Sequence, residues 1–183
     1  MANVDHPHGL NAVMSRSHDT PRLTKYTAHV NTTTPVGIFR GDVVQLLATG
    51  KVKSITTTTG VDAIIGVANT YVSAAAASDD SDVWVFDDPD TVFEIQSDGT
   101  TDPGATTALG HIGNTAPLVL GTGVAASGQS QFELDYSAMT TGTADAVQVV
   151  GHYKLVGNDM KLAHARYLVT LVKHIKKLNQ RVI

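Results

Sequence analysis

The chain has 183 residues, a formal net charge of −4, only 16% charged and 5% aromatic residues, and no cysteine. That length suits one medium domain with an appendage and a proper hydrophobic core. Disulfides and thiol chemistry are excluded, and the negative balance argues against a general nucleic-acid binder.

The first residues lack the positively charged start and apolar core of a signal peptide, and no apolar run approaches bilayer length, so no membrane partner is expected. Residues 1–35 read as an extended N-terminal arm, rich in His, Asn, Ser, Thr and Pro and without sustained apolar periodicity. A segment of about 30 residues can reach roughly 100 Å when extended. The alternative is a disordered terminus. Against pure disorder stand spaced anchors, Pro7, Gly9, Leu10, Val13 and Tyr26, each suited to a neighbour's pocket.

Residues 36–183 read as the β-rich body. Gly41-Asp42 turns into a strand at Val43–Leu47, and Thr49-Gly50 into an alternating strand at Lys51–Ile55. Ala63–Ala68 is a buried strand in which Gly66 marks a bulge or close backbone approach. Tyr71–Ala77 fits a strand or one helical turn. The central stretch runs from Val83 to Gln96, two β-branched and aromatic runs around Asp87-Asp88-Pro89-Asp90, and reads as a β-hairpin. Trp84, Phe86, Phe93 and Ile95 are its expected core or trimer-forming side chains, with Glu94 and Gln96 facing solvent or a partner. Further strands are expected at Pro117–Leu120, Gln131–Tyr136 and Ala146–His152. Leu162, Ala165, Leu168, Val169, Val172 and Ile175 fit a helical stripe, but Tyr167–Val172 also has strand character. Seven or more short strands predict an all-β barrel or sandwich.

Charge is unevenly placed. Residues 78–102 hold nine acidic side chains and no basic one, and residues 151–183 hold seven basic and one acidic. Matching of these regions between subunits is one reading; two ordinary solvated surfaces is the other.

Catalytic signatures are missing. There is no Gly-x-Ser-x-Gly elbow and no phosphate loop, and the chain's two glutamates, Glu94 and Glu133, are expected outward on strands. The eight histidines form no helical His-x-x-x-His pair and read as polar loop residues, with no metal or other cofactor expected. Asp79-Asp80-Ser81-Asp82 and Asp87-Asp88-Pro89-Asp90 lack the glycine and terminal glutamate of an EF-hand loop and read as acidic turns. No enzyme is expected.

Several short motifs occur together: Pro7, Gly9, Leu10 and Val13; Gly41-Asp42-Val43-Val44 before Gly50-Lys51-Val52; Ile65-Gly66-Val67-Ala68; and Val85 with Asp87-Asp88-Pro89 before Val92–Gln96. Gly151 and Val169–His174 extend the pattern. In these residues the chain resembles the tailed-bacteriophage head decoration, or capsid cement, proteins. The resemblance implies a small β-barrel or β-tulip-like body, usually a homotrimer, on the outer capsid surface of the virion. It implies the major capsid protein as partner, and it favours a strand at 167–172. Two other readings remain: a carbohydrate- or receptor-binding β-module, which would need exposed Trp or Tyr, and a hydrolase using Asp and His.

Overall fold

The computed structural model describes residues 3–16, 19–29, 37–57, 63–74, 81–99, 111–141, 145–160 and 162–178. Expectations for residues 30–36, Asp79-Asp80, residues 75–77, Thr100–Gly104 and Arg181 lie outside them. The strands in chain order are β1 (Asn11–Ser15), β2 (Leu23–Thr27), β3 (Val43–Leu46), β4 (Val52–Ser54), β5 (Ile64–Ala68), β6 (Asp82–Phe86) and β7 (Thr91–Gln96). They continue as β8 (Thr115–Ala116), β9 (Leu118–Val119), β10 (Glu133–Leu134), β11 (Val147–His152) and β12 (Arg166–Leu171), followed by the short helix α1 (Ile175–Leu178). The protein is all-β, as its composition predicts. Tyr167–Leu171 of the 167–172 stretch lies in strand β12, and the helical turn begins after it.

Two five-stranded antiparallel sheets carry the fold, ordered β1-β7-β12-β11-β8 and β2-β6-β5-β3-β4, with β9 and β10 as a separate pair. Alternation explains the main core. Phe93 and Ile95 on β7, Tyr167, Val169 and Leu171 on β12, and Val147 and Val149 on β11 all join one buried cluster. Val43, Ile64 and Val67 of the second sheet meet them there, so this core bonds the two sheets. A second cluster of Val44, Val52, Ile65, Val83 and Val85 lies on the opposite-parity positions of the second sheet, which is therefore covered on both faces. Gly66 is the expected close approach: it sits at φ +155°, and a Cβ there would lie 2.1 Å from the Phe86 carbonyl oxygen. The register of β3 against β5 shifts beside it.

The expected hairpin is corrected. β6 pairs with β2 and β5, whereas β7 pairs with β1 and β12. The Asp-Asp-Pro-Asp segment is thus a corner that hands the chain from one sheet to the other. Its tight turn is held by Thr91 N–H donating to the Asp88 carbonyl at 3.1 Å and Asp90 N–H to Asp88 Oδ1 at 3.0 Å. Each strand finds better neighbours than the other, because alternation commits Val83 and Val85 to one core and Phe93 and Ile95 to the other.

The expected arm is corrected too. Over its described residues the N-terminal segment is part of the body: β1 extends the first sheet and β2 the second. Leu10 is 2% exposed in the main core of its own chain. Burying such a side chain contributes about 1.5–3 kcal/mol to its own fold. The second sheet curls until its ends approach, and His29 N–H donates to the Val52 carbonyl at 2.7 Å. A lone parallel bridge between Ala28 and Val52 spans that gap, so the barrel does not close.

Candidate functional site

Residues 3–10 form a strap laid across the end of the first sheet, and polar side chains hold its backbone. Gln96, fully buried on β7, donates to the Val4 carbonyl at 2.7 Å and accepts from His6 N–H at 3.0 Å. Gln131 donates to the Pro7 carbonyl at 2.9 Å, and Gln129 to the His8 carbonyl at 2.7 Å. Asn3 donates to the Ala163 carbonyl at 2.9 Å. Gly9 lets the strap enter the body, for at φ +70° a Cβ would meet the Gly41 carbonyl oxygen at 2.5 Å.

Glu94, expected outside, is 4% exposed beneath this strap. His8 Nε2 lies 2.8 Å from Glu94 Oε2, and Arg166 Nε lies 3.5 Å from Oε1. His8 Nδ1 faces the His6 carbonyl at 2.9 Å, so both ring nitrogens meet acceptors. Burial alone would lower the His8 pKa, but the Glu94 hydrogen bond, the His6 carbonyl and the Glu94 charge outweigh it and raise it. The partner of Glu94 and Gln96 is the chain's own N-terminus.

The corner is fastened by one carboxylate. Asp87 is 1% exposed and accepts from Lys176 Nζ at 2.6 Å, Tyr26 Oη at 3.0 Å and Arg22 Nε at 3.3 Å. Burial pushes its pKa up, but these donors, with Thr24, hold it below the usual carboxylate range. Desolvation and the hydrogen bond to Asp87 push the Tyr26 phenol up to about 12. The acidic stretch and the basic end therefore meet within one chain at this point. Next to Lys176, His174 is fully buried, and burial beside Lys176 and Lys177 lowers its pKa to about 4.

These contacts redistribute the expected binding residues. Pro7, Gly9, Leu10 and Tyr26 are occupied by the body, and among those anchors Val13, at a register shift in β1, stays 36% exposed. Phe93 and Ile95 are core, and Phe86 is half-buried with its ring edge-on to Phe93 at 6.5 Å. Trp84 is 45% exposed, so of the two places expected for it, core or trimer contact, the core is ruled out. It lies two residues farther from the corner than Phe86, beyond the cover of Phe93. With Val13, Met14 and Leu23 it makes four exposed apolar side chains on strands flanking the corner.

Elsewhere a mainly apolar cavity of about 560 Å³ is lined by Phe39, Ile55, Leu120, Phe132 and buried Asp42. Burial raises the Asp42 carboxyl even though the Phe39 N–H, Ser130 and Ser54 bond to it. No imidazole or second carboxylate lines this cavity among the described residues. Asp5, Glu133 and His164 bring ligand-type atoms within 4.8 Å of one another. Sequence reasoning missed the roles of Asp87, Glu94 and Gln96, because a turn aspartate and alternate polar residues on a strand look solvent-facing until their cover is known.

No family model matches the chain, and no curated protein or solved structure matches it significantly. No described helix is long and apolar enough to cross a membrane.

Proposed function

We propose that this protein is a non-catalytic viral structural component that binds the outer capsid surface and ties major capsid protein subunits together, as a homotrimer. One observation carries the reading. Val13, Met14, Leu23 and Trp84 expose apolar surface on the outermost strands β1 and β2 and on adjoining β6. Outermost strands carrying such side chains invite association with another chain. The resemblance of the short motifs to capsid cement proteins points to the same role. A trimer holding several weak contacts at once binds multivalently, each contact raising the effective concentration of the next.

Adding the purified chain to expanded heads that lack it tests the proposal. Wild type should bind their exterior and raise their resistance to heat, and Leu23→Ser with Trp84→Ser should weaken binding by at least about tenfold. That pair should change the stability of the free chain by roughly 1 kcal/mol or less. Truncating residues 2–30 is the wrong variant, because it removes Leu10, β1 and β2 from the fold. Absence of wild-type binding would refute the proposal. Exposed Trp84 also favours a second reading, a carbohydrate-binding module stacking sugar on its indole. Glycan-array binding abolished by Trp84→Ala would replace the capsid reading with that one.

A further inference from the structure

We propose that Asp5, Glu133 and His164 form a binding site for a divalent first-row transition-metal ion of the zinc class, which clips the N-terminal strap to the body. The three residues come from distant parts of the chain: Asp5 from the strap, Glu133 from the start of β10, and His164 from the loop entering β12. His164 Nδ1 lies 3.5 Å from Asp5 Oδ1 and 4.0 Å from Glu133 Oε1. Both Nδ1 of His164 and Oε1 of Glu133 are closed off from solvent and have no hydrogen-bond partner. Their separation is too long for a hydrogen bond. Bonds of about 2.0–2.2 Å set neighbouring donor atoms on one cation roughly 3–3.5 Å apart, which the 3.5 Å between His164 and Asp5 meets and the 4.0 Å between His164 and Glu133 would meet only after closing inward. Asp5, whose side chain is 63% exposed, has freedom to move the remaining fraction inward.

Electrostatics agrees with the geometry. Burial, then the charge of Asp5, raises the Glu133 carboxyl; His164 opposes this and Asp98 adds to it. Two carboxylates, Asp5 and Glu133, thus face one imidazole, and a dication would neutralise their charge. The Cε1–Nε2 edge of the His164 ring lies against Gly99, where a Cβ would stand 3.3 Å from Cε1. One imidazole with two carboxylates selects zinc, cobalt, manganese, iron or nickel over calcium and magnesium, which prefer all-oxygen sites. Three protein ligands leave a coordination position for water. The ion would join strap and body beside the Gln96 and Asn3 contacts, as a fastening independent of any capsid role.

The test uses the full chain, stripped with chelator and titrated with ZnCl₂, CoCl₂, CaCl₂ and MgCl₂ under calorimetry and thermal unfolding. Zinc should bind saturably at one ion per chain and raise Tm, and cobalt should give a visible d–d band. Asp5→Asn, Glu133→Gln and His164→Asn should each weaken zinc binding by more than about a hundredfold, beyond the roughly 10–100-fold that outer-shell changes cause. Asn is chosen at 164 because the backbone there is left-handed, at φ +59°, a conformation it tolerates. Exposed Asp5 keeps the test open if the other variants fold poorly. His6→Ala should leave binding unchanged. The proposal is overturned by absence of saturable zinc binding, by binding that survives Asp5→Asn, by loss with His6→Ala, or by equal affinity for calcium or magnesium.

Discussion

The strap and the corner fasten the same N-terminal segment to the rest of the molecule in opposite ways. The strap is held by dispersed amide hydrogen bonds from Gln96, Gln129, Gln131 and Asn3, with His8 and Glu94 beneath. At the corner one buried carboxylate, Asp87, gathers Lys176, Tyr26 and Arg22. A dispersed attachment loses little when any one bond is cut. A concentrated one fails at a point, since removing the carboxylate takes an acceptor from three donors at once and leaves Lys176 with only its bond to the Asp87 main-chain carbonyl.

The largest expected effect breaks the corner. Asp87→Ala should destabilise the chain by about 2–4 kcal/mol, the loss of several charge-assisted hydrogen bonds whose cationic partners Lys176 and Arg22 keep solvent access, measured by urea unfolding. A loss under about 1 kcal/mol would mean that water already serves those donors.

Next comes pH, which should move the two regions in opposite directions. His174 has an ordinary value of 6.5 and a folded value of about 4, so below about 6.5 the unfolded chain takes up its proton first. Its contribution is present above that pH and is lost on acidification towards about 4, by roughly 3 kcal/mol. Asp87, with a lowered folded pKa, adds stability that is present above its ordinary value of 3.8 and is lost as pH falls through the folded value. His8, raised above 6.5, stabilises below that pH, and its contribution fades as pH rises through the folded value. Hydrogen exchange against pH should show the region around α1 loosening in acid and the strap in mild alkali. Parallel loosening of both would remove the contrast.

The smallest effect tests dispersal. Gln96→Ala should cost about 1–3 kcal/mol, because it orphans the Val4 carbonyl and His6 N–H. Limited proteolysis should then cut within residues 3–8 while β7 and β12 stay protected.

The sequence revealed most of what local pattern controls. Turn residues and apolar runs located β3, β5 and β11, alternation located β4 and the core face of Phe93 and Ile95, and Gly66 marked a real close approach. What escaped was which element covers which. Val83–Gln96 has the composition of a hairpin, yet its halves join different sheets, and strand pairing is decided by distant partners. Likewise Leu10 and Tyr26 look like spare anchors in a polar stretch, and only their sites in the body reveal that they are used at home. Trp84 is expected in the core or at a trimer contact, and alternation along β6 alone does not say which face of that strand stays open. The Asp5–Glu133–His164 cluster left no local signal, being assembled from three remote points in the chain.

Pairing of the first strand with residues such as Glu94, and of the seventh strand in turn with the twelfth, has a consequence for biosynthesis. Residues 3–10 cannot find their full place until the chain has been made as far as residue 163, because Asn3 must wait for a partner 160 residues downstream. Such long-range pairing makes for slow folding, with the strap among the last pieces to settle.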